Sequence, residues 1–406
     1  MTTGHFEQKE IKTITQKPIP RGVWALGFVS LFMDISTEMV NSLLPVFLVS
    51  IMGASALAVG MIEGIAQATA LITKIFSGVL SDFFGKRKLL AVVGYGLAAF
   101  TKPIFPLATS VGWVATARFI DRVGKGIRGA PRDALIGDIT PHEVRGASYG
   151  LRQSLDTVGA FAGPLLAMLL MVLLADDMRT VFWFAVIPAF IAVAFLLFGV
   201  KEPKREQKTE IQKRMMIQWA DFRHLGRAYW WTVLVGGVLT LARFSEAFLV
   251  LRAEDIGLTI TLVPLVLMVM NIMYAATSYP AGSLSDRIGH RGLLASGFIV
   301  LIIADLILAT ANNIGWVLFG VMLWGMHMGL THGILAAMVA DTSPAKLRGT
   351  AFGIFNLISG IALLVASVIA GGLWDQYGAP VTFYTGAGFT AIALLGLLVI
   401  RWRYSR

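Results

Sequence analysis

Apolar residues along the chain fall in blocks of about 20 that are separated by short polar stretches. An α-helix of roughly that length crosses the hydrocarbon core of a bilayer. The pattern therefore predicts an all-α membrane protein with twelve transmembrane helices, and both chain ends lie on one side because the number is even. The predicted spans are 22–50, 57–80, 88–108, 112–136, 147–174, 180–200, 229–251, 259–283, 292–311, 314–340, 350–373 and 380–401.

The composition supports this interpretation and excludes several other classes. Of 406 residues, 56% are hydrophobic and 14% are charged, against about 25% charged in soluble domains. The chain has no cysteine, which excludes disulfides, cysteine nucleophiles and thiolate metal sites. It also has no Walker phosphate-binding loop and no His-Glu-x-x-His zinc motif. We expect no enzyme activity, no cofactor and no metal site.

Lysine and arginine in the loops predict the orientation. Twenty-three of the 34 cations lie in loops on the side of the N-terminus, and the opposite loops hold only Arg179 and Arg252. Because cytoplasmic loops are rich in Lys and Arg, both termini are predicted to be cytoplasmic in a multi-pass inner-membrane protein. The net charge of +10 is explained by these loops, so we expect a lipid bilayer around the protein and no nucleic-acid partner.

An internal repeat divides the chain in two. The loop motif Gly78-x-x-x-Asp82-x-x-Gly85 recurs 204 residues later as Gly282-x-x-x-Asp286-Arg287-x-Gly289. A second motif, which begins at Asp138, recurs at Asp341 with an offset of 203. Two recurrences at one spacing predict two similar six-helix bundles. The predicted segments are a cytoplasmic tail (1–21), a first bundle (22–200), a cytoplasmic linker (201–228) and a second bundle with a short tail (229–406).

The loop motif, its second copy, the twelve spans and the basic linker together resemble the major facilitator superfamily over the whole chain. The stretch Asp34-Ile-Ser-Thr-Glu-Met39 is also similar to a prokaryotic branch of that superfamily. The resemblance implies a secondary transporter that works by alternating access, in which the loop acts as a cytoplasmic gate, with Asp133 or Asp138 as a candidate partner; we expect a monomer. The gate residues carried over are Gly78, Asp82, Gly85, Arg87, Asp138, Gly282, Asp286, Arg287 and Gly289.

Charges inside the spans are candidates for the transport chemistry, because a charge at mid-bilayer is costly unless it faces a cavity or a partner. The eight acids in spans are Asp34, Glu38, Glu63, Asp121, Asp133, Asp156, Glu246 and Asp305. Arg118, Arg122, Lys125 and Arg132 form a stripe on the fourth span that the tenth span lacks. Arg118 resembles the arginine that antiporters of the superfamily use near their proton site. Two interpretations of the stripe stay open: neutralisation by neighbouring acids, or a cationic wall for an anionic substrate.

Acids on the first two spans are candidate proton sites. Asp34, Glu38 and Asn41 share one helical face, as do Glu63 and Gln67. A carboxylate near mid-membrane can bind and release a proton; permanent ion pairing with the fourth span is the alternative. On the seventh span Arg243 and Glu246 are three residues apart and are either a local ion pair or part of the cavity.

The fifth span reads Gly159-x-x-x-Gly163-Pro164, which resembles the signature of proton-driven exporters, although Ala167 departs from it. Close helix packing at small residues is the structural alternative. The sequence thus favours a proton-coupled exporter of small organic or amphipathic compounds, with protons and a small-molecule substrate as partners. An anionic metabolite or metal chelate (siderophore-like) is the second substrate class, and a divalent metal cation is the third.

Overall fold

The structure is a computed structural model that describes residues 18–84, 86–202, 225–288, 290–344 and 347–404. Within these ranges the chain forms helices and contains no strand. The long helices are α1 (Arg21–Val46), α2 (Ala56–Phe84), α3 (Arg87–Thr101), α4 (Val111–Ile139), α5 (Arg145–Leu173), α6 (Met178–Gly199), α7 (Arg227–Ala242), α8 (Pro264–Ile288), α9 (His290–Thr310), α10 (Ile314–Asp341), α11 (Arg348–Tyr377) and α12 (Ala379–Tyr404).

Shorter helical segments extend or precede some of these helices. They are the π-helical Phe47–Ile51 after α1, Ile104–Leu107 after α3, the 3-10 turns His142–Val144 and Ile260–Leu262, and Ala247–Asp255, which continues α7. The break in α7 spans residues 243–246, where the Ser245 backbone N–H donates to Ser367 Oγ at 3.2 Å instead of to its own helix.

The twelve helices coincide with the twelve predicted spans. Eleven helical segments in the described ranges are long and apolar enough to cross a membrane. The remaining long helix is α4, which has sufficient length but carries the charged stripe. The charged stripe is compatible with a membrane span because α4 packs against α2 and α3. Arg118, Asp121 and Arg122 are buried in this arrangement. The all-α membrane fold is thereby confirmed.

The helices pack in two groups. In the first half of the chain α1 contacts α5 and α6, and α4 contacts α2 and α3. In the second half α10 contacts α8 and α9, and α9 contacts α12. Contacts of α2 with α11 and of α5 with α8 connect the halves. The exact bundle boundaries stay a prediction, since most of the predicted tail and linker lies outside the described residues.

Glycines permit the closest helix approaches. A Cβ on Gly371 of α11 would lie 2.5 Å from the Ala56 carbonyl oxygen of α2. In α5, a Cβ on Gly159 would lie 2.7 Å from the Leu31 carbonyl oxygen, and one on Gly163 would lie 2.7 Å from Glu38 Cβ. The small residues of the fifth-span motif therefore hold α5 against the α1 face that carries the candidate proton sites.

Several hydrogen bonds between the two halves lie at one face, which contains the turns near residues 53, 109, 175, 257 and 312. We call it the Lys/Arg-poor face. Here Asp375, near the end of α11, accepts hydrogen bonds from the backbone N–H groups of Ala56 and Leu57, both at 2.9 Å. Asp375 thus caps the N-terminus of α2 from the other half, in the way a side-chain carboxylate caps its own helix.

Two further hydrogen bonds cross between the halves at the Lys/Arg-poor face. Thr261 Oγ1 donates to Asp176 Oδ1 at 2.6 Å, and Ser50 Oγ donates to Glu254. Towards the opposite, Lys/Arg-rich face, a cavity of about 380 Å³ lies between α8 and α10 and is lined by Tyr274 and other residues. The structure is therefore closed at the Lys/Arg-poor face.

Candidate functional site

A buried ion pair joins α4 to α2. Both sides of the Glu63 carboxylate are engaged by Arg118: Nε donates at 2.9 Å and Nη2 at 2.7 Å. Arg118 Nη1 also donates to Asn41 Oδ1 at 2.5 Å. Such a two-point contact is geometrically specific, and both side chains are buried. Gln67, one turn further along α2, is partly buried. Arg118 and Glu63 therefore neutralise each other's charge.

A second buried pair links α4 to the break in α3. Lys102 Nζ lies 3.0 Å from Asp121 Oδ1, and both side chains are essentially inaccessible to solvent. Lys102 also donates to Thr37 Oγ1 at 3.5 Å. Asp121 was a candidate cavity residue, but its carboxylate is taken up by this pair within the first half.

A third cluster lies nearer the Lys/Arg-rich face, between α4 and α5. Asp133 accepts from Arg132 at 3.1 Å and from Arg152 at 3.4 Å, and Arg152 also pairs with Asp156. Arg132 donates to Ser30 Oγ of α1 at 3.0 Å. These four charges neutralise one another and fasten α1, α4 and α5 together.

Arg122 differs from the other arginines of the α4 stripe. Its guanidinium is buried, and its Nη2 donates to Asn41 Oδ1 at 3.2 Å. Its Nε lies 3.9 Å from Asp121, and neither Nε nor Nη1 has a hydrogen-bond partner among the described residues. Arg122 is therefore only partly satisfied by its described neighbours.

Asp34 and Glu38 of α1 have no ion-pair contact within 4.0 Å among the described residues. Both are partly buried, and Glu38 accepts a hydrogen bond from Asn41 Nδ2 at 3.0 Å. The charges that act on Glu38 come first from Lys125, which is exposed, and from Glu246 of the second half. Glu38 and Lys125 therefore lie near the boundary between the two halves.

The second half contributes Arg243 and Glu246 from the break in α7. Both are partly buried, and their charges act on one another. No contact shorter than 4.0 Å joins them in the described part of the chain, so a tight local ion pair is not seen. The charge of Glu246 interacts with those of Lys125 and Arg122 on α4 of the other half.

The gate residues are only partly described. Arg87, at the start of α3, pairs with Asp138 at 2.8 Å and donates to the Ala134 carbonyl at 2.7 Å. Of the two candidate partners it therefore contacts Asp138. Gly78 faces Ala130 of α4, and Gly282 lines the cavity at the Lys/Arg-rich face. The side chains of Asp82, Gly85, Asp286, Arg287 and Gly289 lie outside the described residues.

Sequence reasoning missed the closing contact made by Asp375. No local pattern indicates it, because the two backbone groups that it caps lie more than 300 residues earlier in the chain. It also left Lys102 without a partner, although Lys102 and Asp121 are only 19 residues apart. The proline that follows Lys102 was a signal that α3 breaks there and can turn the lysine towards α4.

Comparison with known proteins agrees with this architecture. The family model of the Major Facilitator Superfamily matches residues 26–251 and 241–406. The chain belongs to the Major Facilitator Superfamily. It is 32% identical over 392 residues to the MFS-type transporter MJ1317 of Methanocaldococcus jannaschii, with 95% of this chain and 96% of that protein covered.

Two more distant proteins are similar over most of their length. The identity to the inner membrane transport protein YajR of Escherichia coli is 23%, over 92% of this chain and 82% of that protein. A solved POT family transporter in complex with a thioalcohol-conjugated peptide superimposes with a TM-score of 0.79 at 12% identity, covering 95% of this chain and 97% of that one. The protein is thus a multi-pass membrane transporter with the superfamily fold, not an enzyme.

Proposed function

We propose that the protein is a proton-coupled secondary active transporter that exports small organic or amphipathic compounds by alternating access. In this proposal it lies in the inner membrane with both termini in the cytoplasm. The observation that carries it is the contrast between two sets of acids. Glu63 and Asp121 are buried in ion pairs, whereas Asp34 and Glu38 are partly buried and have no such pair within the described part.

An acid without an ion pair can exchange its proton without breaking a buried contact. Glu38 is suited to this role because its only described hydrogen bond comes from the neutral amide of Asn41. Glu38 also interacts electrostatically with Glu246 of the other half. Protonation of Glu38 therefore changes the interaction between the halves, which is what coupling of proton binding to a conformational change requires.

Closure at one face supports alternating access. Asp375, Thr261 and Ser50 make hydrogen bonds across the Lys/Arg-poor face. With Lys/Arg-rich loops in the cytoplasm, this is an inward-facing state. Rocking of the segments 22–200 and 229–406 about the central acids would then expose them to the other side.

An anionic substrate is the second candidate, favoured by Arg122 and Lys125. Arg122 has two nitrogens without a hydrogen-bond partner in the described structure, and the exposed Lys125 lies one helical turn away. A carboxylate or phosphate that entered between the halves would find these two cations available. The other candidate cation of the stripe, Arg118, is already paired with Glu63.

A thermal-shift screen would decide between the two substrate classes. Purified protein is tested with tetraphenylphosphonium, citrate, inorganic phosphate and a ferric siderophore at two pH values, since a ligand of the folded state raises its melting temperature. Stabilisation by the lipophilic cation alone supports the first class. Stabilisation by anions that disappears in Arg122→Gly supports the second.

Proton coupling is tested in proteoliposomes with the compound found in that screen. An internal pH dye reports whether the compound moves protons across the membrane. We expect Glu38→Gln or Asp34→Asn to abolish flux driven by a pH gradient and to spare exchange of labelled for unlabelled compound. The matched control is Asp177→Asn, which changes a carboxylate that caps α6 far from the acids. Unchanged pH-driven flux in both acid variants would reject the proposal.

A further inference from the structure

The second half contains a buried carboxyl that the network around α4 does not use. Asp305 of α9 is completely buried. Its Oδ1 accepts a hydrogen bond from the indole Nε1 of Trp324 at 3.2 Å. Its Oδ2 has no hydrogen-bond partner among the described residues.

The surroundings of Asp305 Oδ2 are apolar. A Cβ on Gly386 of α12 would lie 2.7 Å from this oxygen and 3.1 Å from the ring of Phe244. Phe244 packs with its ring centroid 6.4 Å from Trp324 and 5.4 Å from Phe383. Among the described residues no cation forms an ion pair with Asp305 within 4.0 Å, so its carboxyl has aromatic neighbours and one neutral donor.

The titratable side chains on the neighbouring elements do not supply a counter-charge. Arg252, at the end of α7, donates to carbonyl groups of α9 and pairs with Asp255. The neighbouring elements also carry His327 and His332 on α10, Tyr274 on α8, and Arg243 and Glu246 at the α7 break, and none of these forms an ion pair with Asp305.

His327 is a second buried side chain near Trp324 with a polar atom that has no described hydrogen-bond partner. Its Nδ1 lies 2.5 Å from the backbone carbonyl oxygen of Trp324. A carbonyl oxygen only accepts, so Nδ1 carries the hydrogen and Nε2 is left as an acceptor. His327 is completely buried, and Nε2 has no described partner. With Asp305 as a carboxylate, Asp305 Oδ2 and His327 Nε2 would thus be two buried acceptors without a described donor.

We propose that Asp305 carries a proton in this conformation and is a second proton-binding site, in the half of the protein opposite to Asp34 and Glu38. A bare carboxylate in apolar surroundings without a cation is strongly disfavoured. A proton removes the charge and needs no added space. A hard metal ion needs about six oxygen ligands, whereas the described neighbours of the Asp305 carboxyl are the indole of Trp324 and Gly386, which lies beside the Phe244 ring.

The position of Asp305 connects this proton to the moving part of the second half. Phe244 belongs to the break in α7. A Cβ on Gly386, which would approach Asp305 Oδ2, would also lie 3.4 Å from the Ala242 carbonyl oxygen at the end of α7. If Asp305 loses this proton to water, the resulting carboxylate lies next to the α7 break. The carboxylate then needs water or a cation as a partner. Proton binding, in which the carboxylate takes H⁺ from hydronium and leaves water, therefore stabilises the packing of α7, α9 and α12 seen here.

Infrared spectroscopy of the full chain in lipid tests this without any substrate, and so independently of the proposed function. The C=O stretch of a protonated carboxyl is recorded at pH 7 for the wild type, Asp305→Asn and the control Asp255→Asn, whose carboxylate is paired with Arg252. We expect one protonated-carboxyl band to be lost in Asp305→Asn and none in the control. Spectra without such a difference would overturn the proposal.

Two further measurements keep the result decisive. If Asp305→Asn does not fold, Trp324→Phe removes the only described donor to Asp305 and is expected to shift the band to higher frequency. An unshifted band would contradict the assignment.

Replacement of potassium chloride by sodium chloride distinguishes a proton from a metal cation at Asp305. We expect the band to remain. Its disappearance in sodium would show that the site takes a metal cation and not a proton.

Discussion

Asp375 offers the sharpest test of how the two halves are held together. Its carboxylate accepts the backbone N–H groups of Ala56 and Leu57 at the start of α2, both at 2.9 Å. The contact exists only while the Lys/Arg-poor face is closed, since α2 and α11 belong to different halves. Asp375→Ala therefore destabilises the closed state relative to the state that is open at this face.

The magnitude follows from the chemistry of a helix cap. Loss of a capping side chain costs about 0.5–2 kcal/mol, and the attraction between a carboxylate and the helix dipole contributes about 0.3–1 kcal/mol. Asp375 is exposed to solvent, so we take the lower part of these ranges, or about 1 kcal/mol in total. That energy changes the ratio of the two conformations about fivefold.

Because the chain has no native cysteine, spin labels attach only to cysteines that are introduced. Ser110→Cys and Asn312→Cys place spin labels on exposed positions of the two halves at the Lys/Arg-poor face, and pulsed electron resonance measures the distribution of distances between them. We expect the ratio of long to short distances to rise about fivefold in Asp375→Ala. The effect in Asp375→Asn should be smaller, because one acceptor oxygen remains.

The control is Asp177→Ala. Asp177 caps α6 by accepting from the backbone N–H groups of Arg179 and Thr180, at 3.0 and 3.2 Å, but both partners belong to its own half. This variant should lower the melting temperature slightly and leave the distance ratio unchanged. The reasoning would be refuted by equal ratios in Asp375→Ala and the wild type, or by equal shifts in both cap variants.

Three other variants test the buried contacts, with thermal unfolding in detergent as the readout for the first two. Glu63→Gln leaves a buried arginine without its counter-charge and should lower the free energy of unfolding by about 3–5 kcal/mol; a loss below about 1 kcal/mol would contradict the buried pairing. Lys102→Met combined with Asp121→Leu removes both charges of a buried pair, so the double variant should be more stable than either single one. Gly371→Val places a side chain against the α2 backbone and should increase the long-distance fraction in the spin-label assay, whereas Gly372→Val, which faces open space, should not.

The sequence was sufficient to predict the fold, because each helix carries its own signal. Blocks of apolar residues have the length of a bilayer span, and the span that became α4 was predicted at 112–136 despite its charges. The charged candidates were also found, since a charge in an apolar block is conspicuous. Their partners were not, because rotation about each helix axis decides whether Arg118 faces Glu63 or a cavity.

Pairing between distant segments was beyond the reach of sequence reasoning. The spacing of Arg243 and Glu246 suggested a local pair, but α7 breaks between them, so helical periodicity does not apply. Asp305 was noticed only as an acid within a span. Its isolation depends on Trp324, Phe244 and Gly386, which come from three other helices.

The arrangement of the buried charges has a consequence for the response to membrane voltage. Moving one elementary charge across the full membrane is worth about 2.3 kcal/mol per 100 mV. The pairs Arg118–Glu63 and Lys102–Asp121 each lie within one half, so a rocking movement carries both members together and displaces no net charge. Voltage should therefore act on the cycle through the cargo, its protons and charged groups outside these two pairs, such as Lys125. The conformational change of the scaffold itself should depend little on voltage.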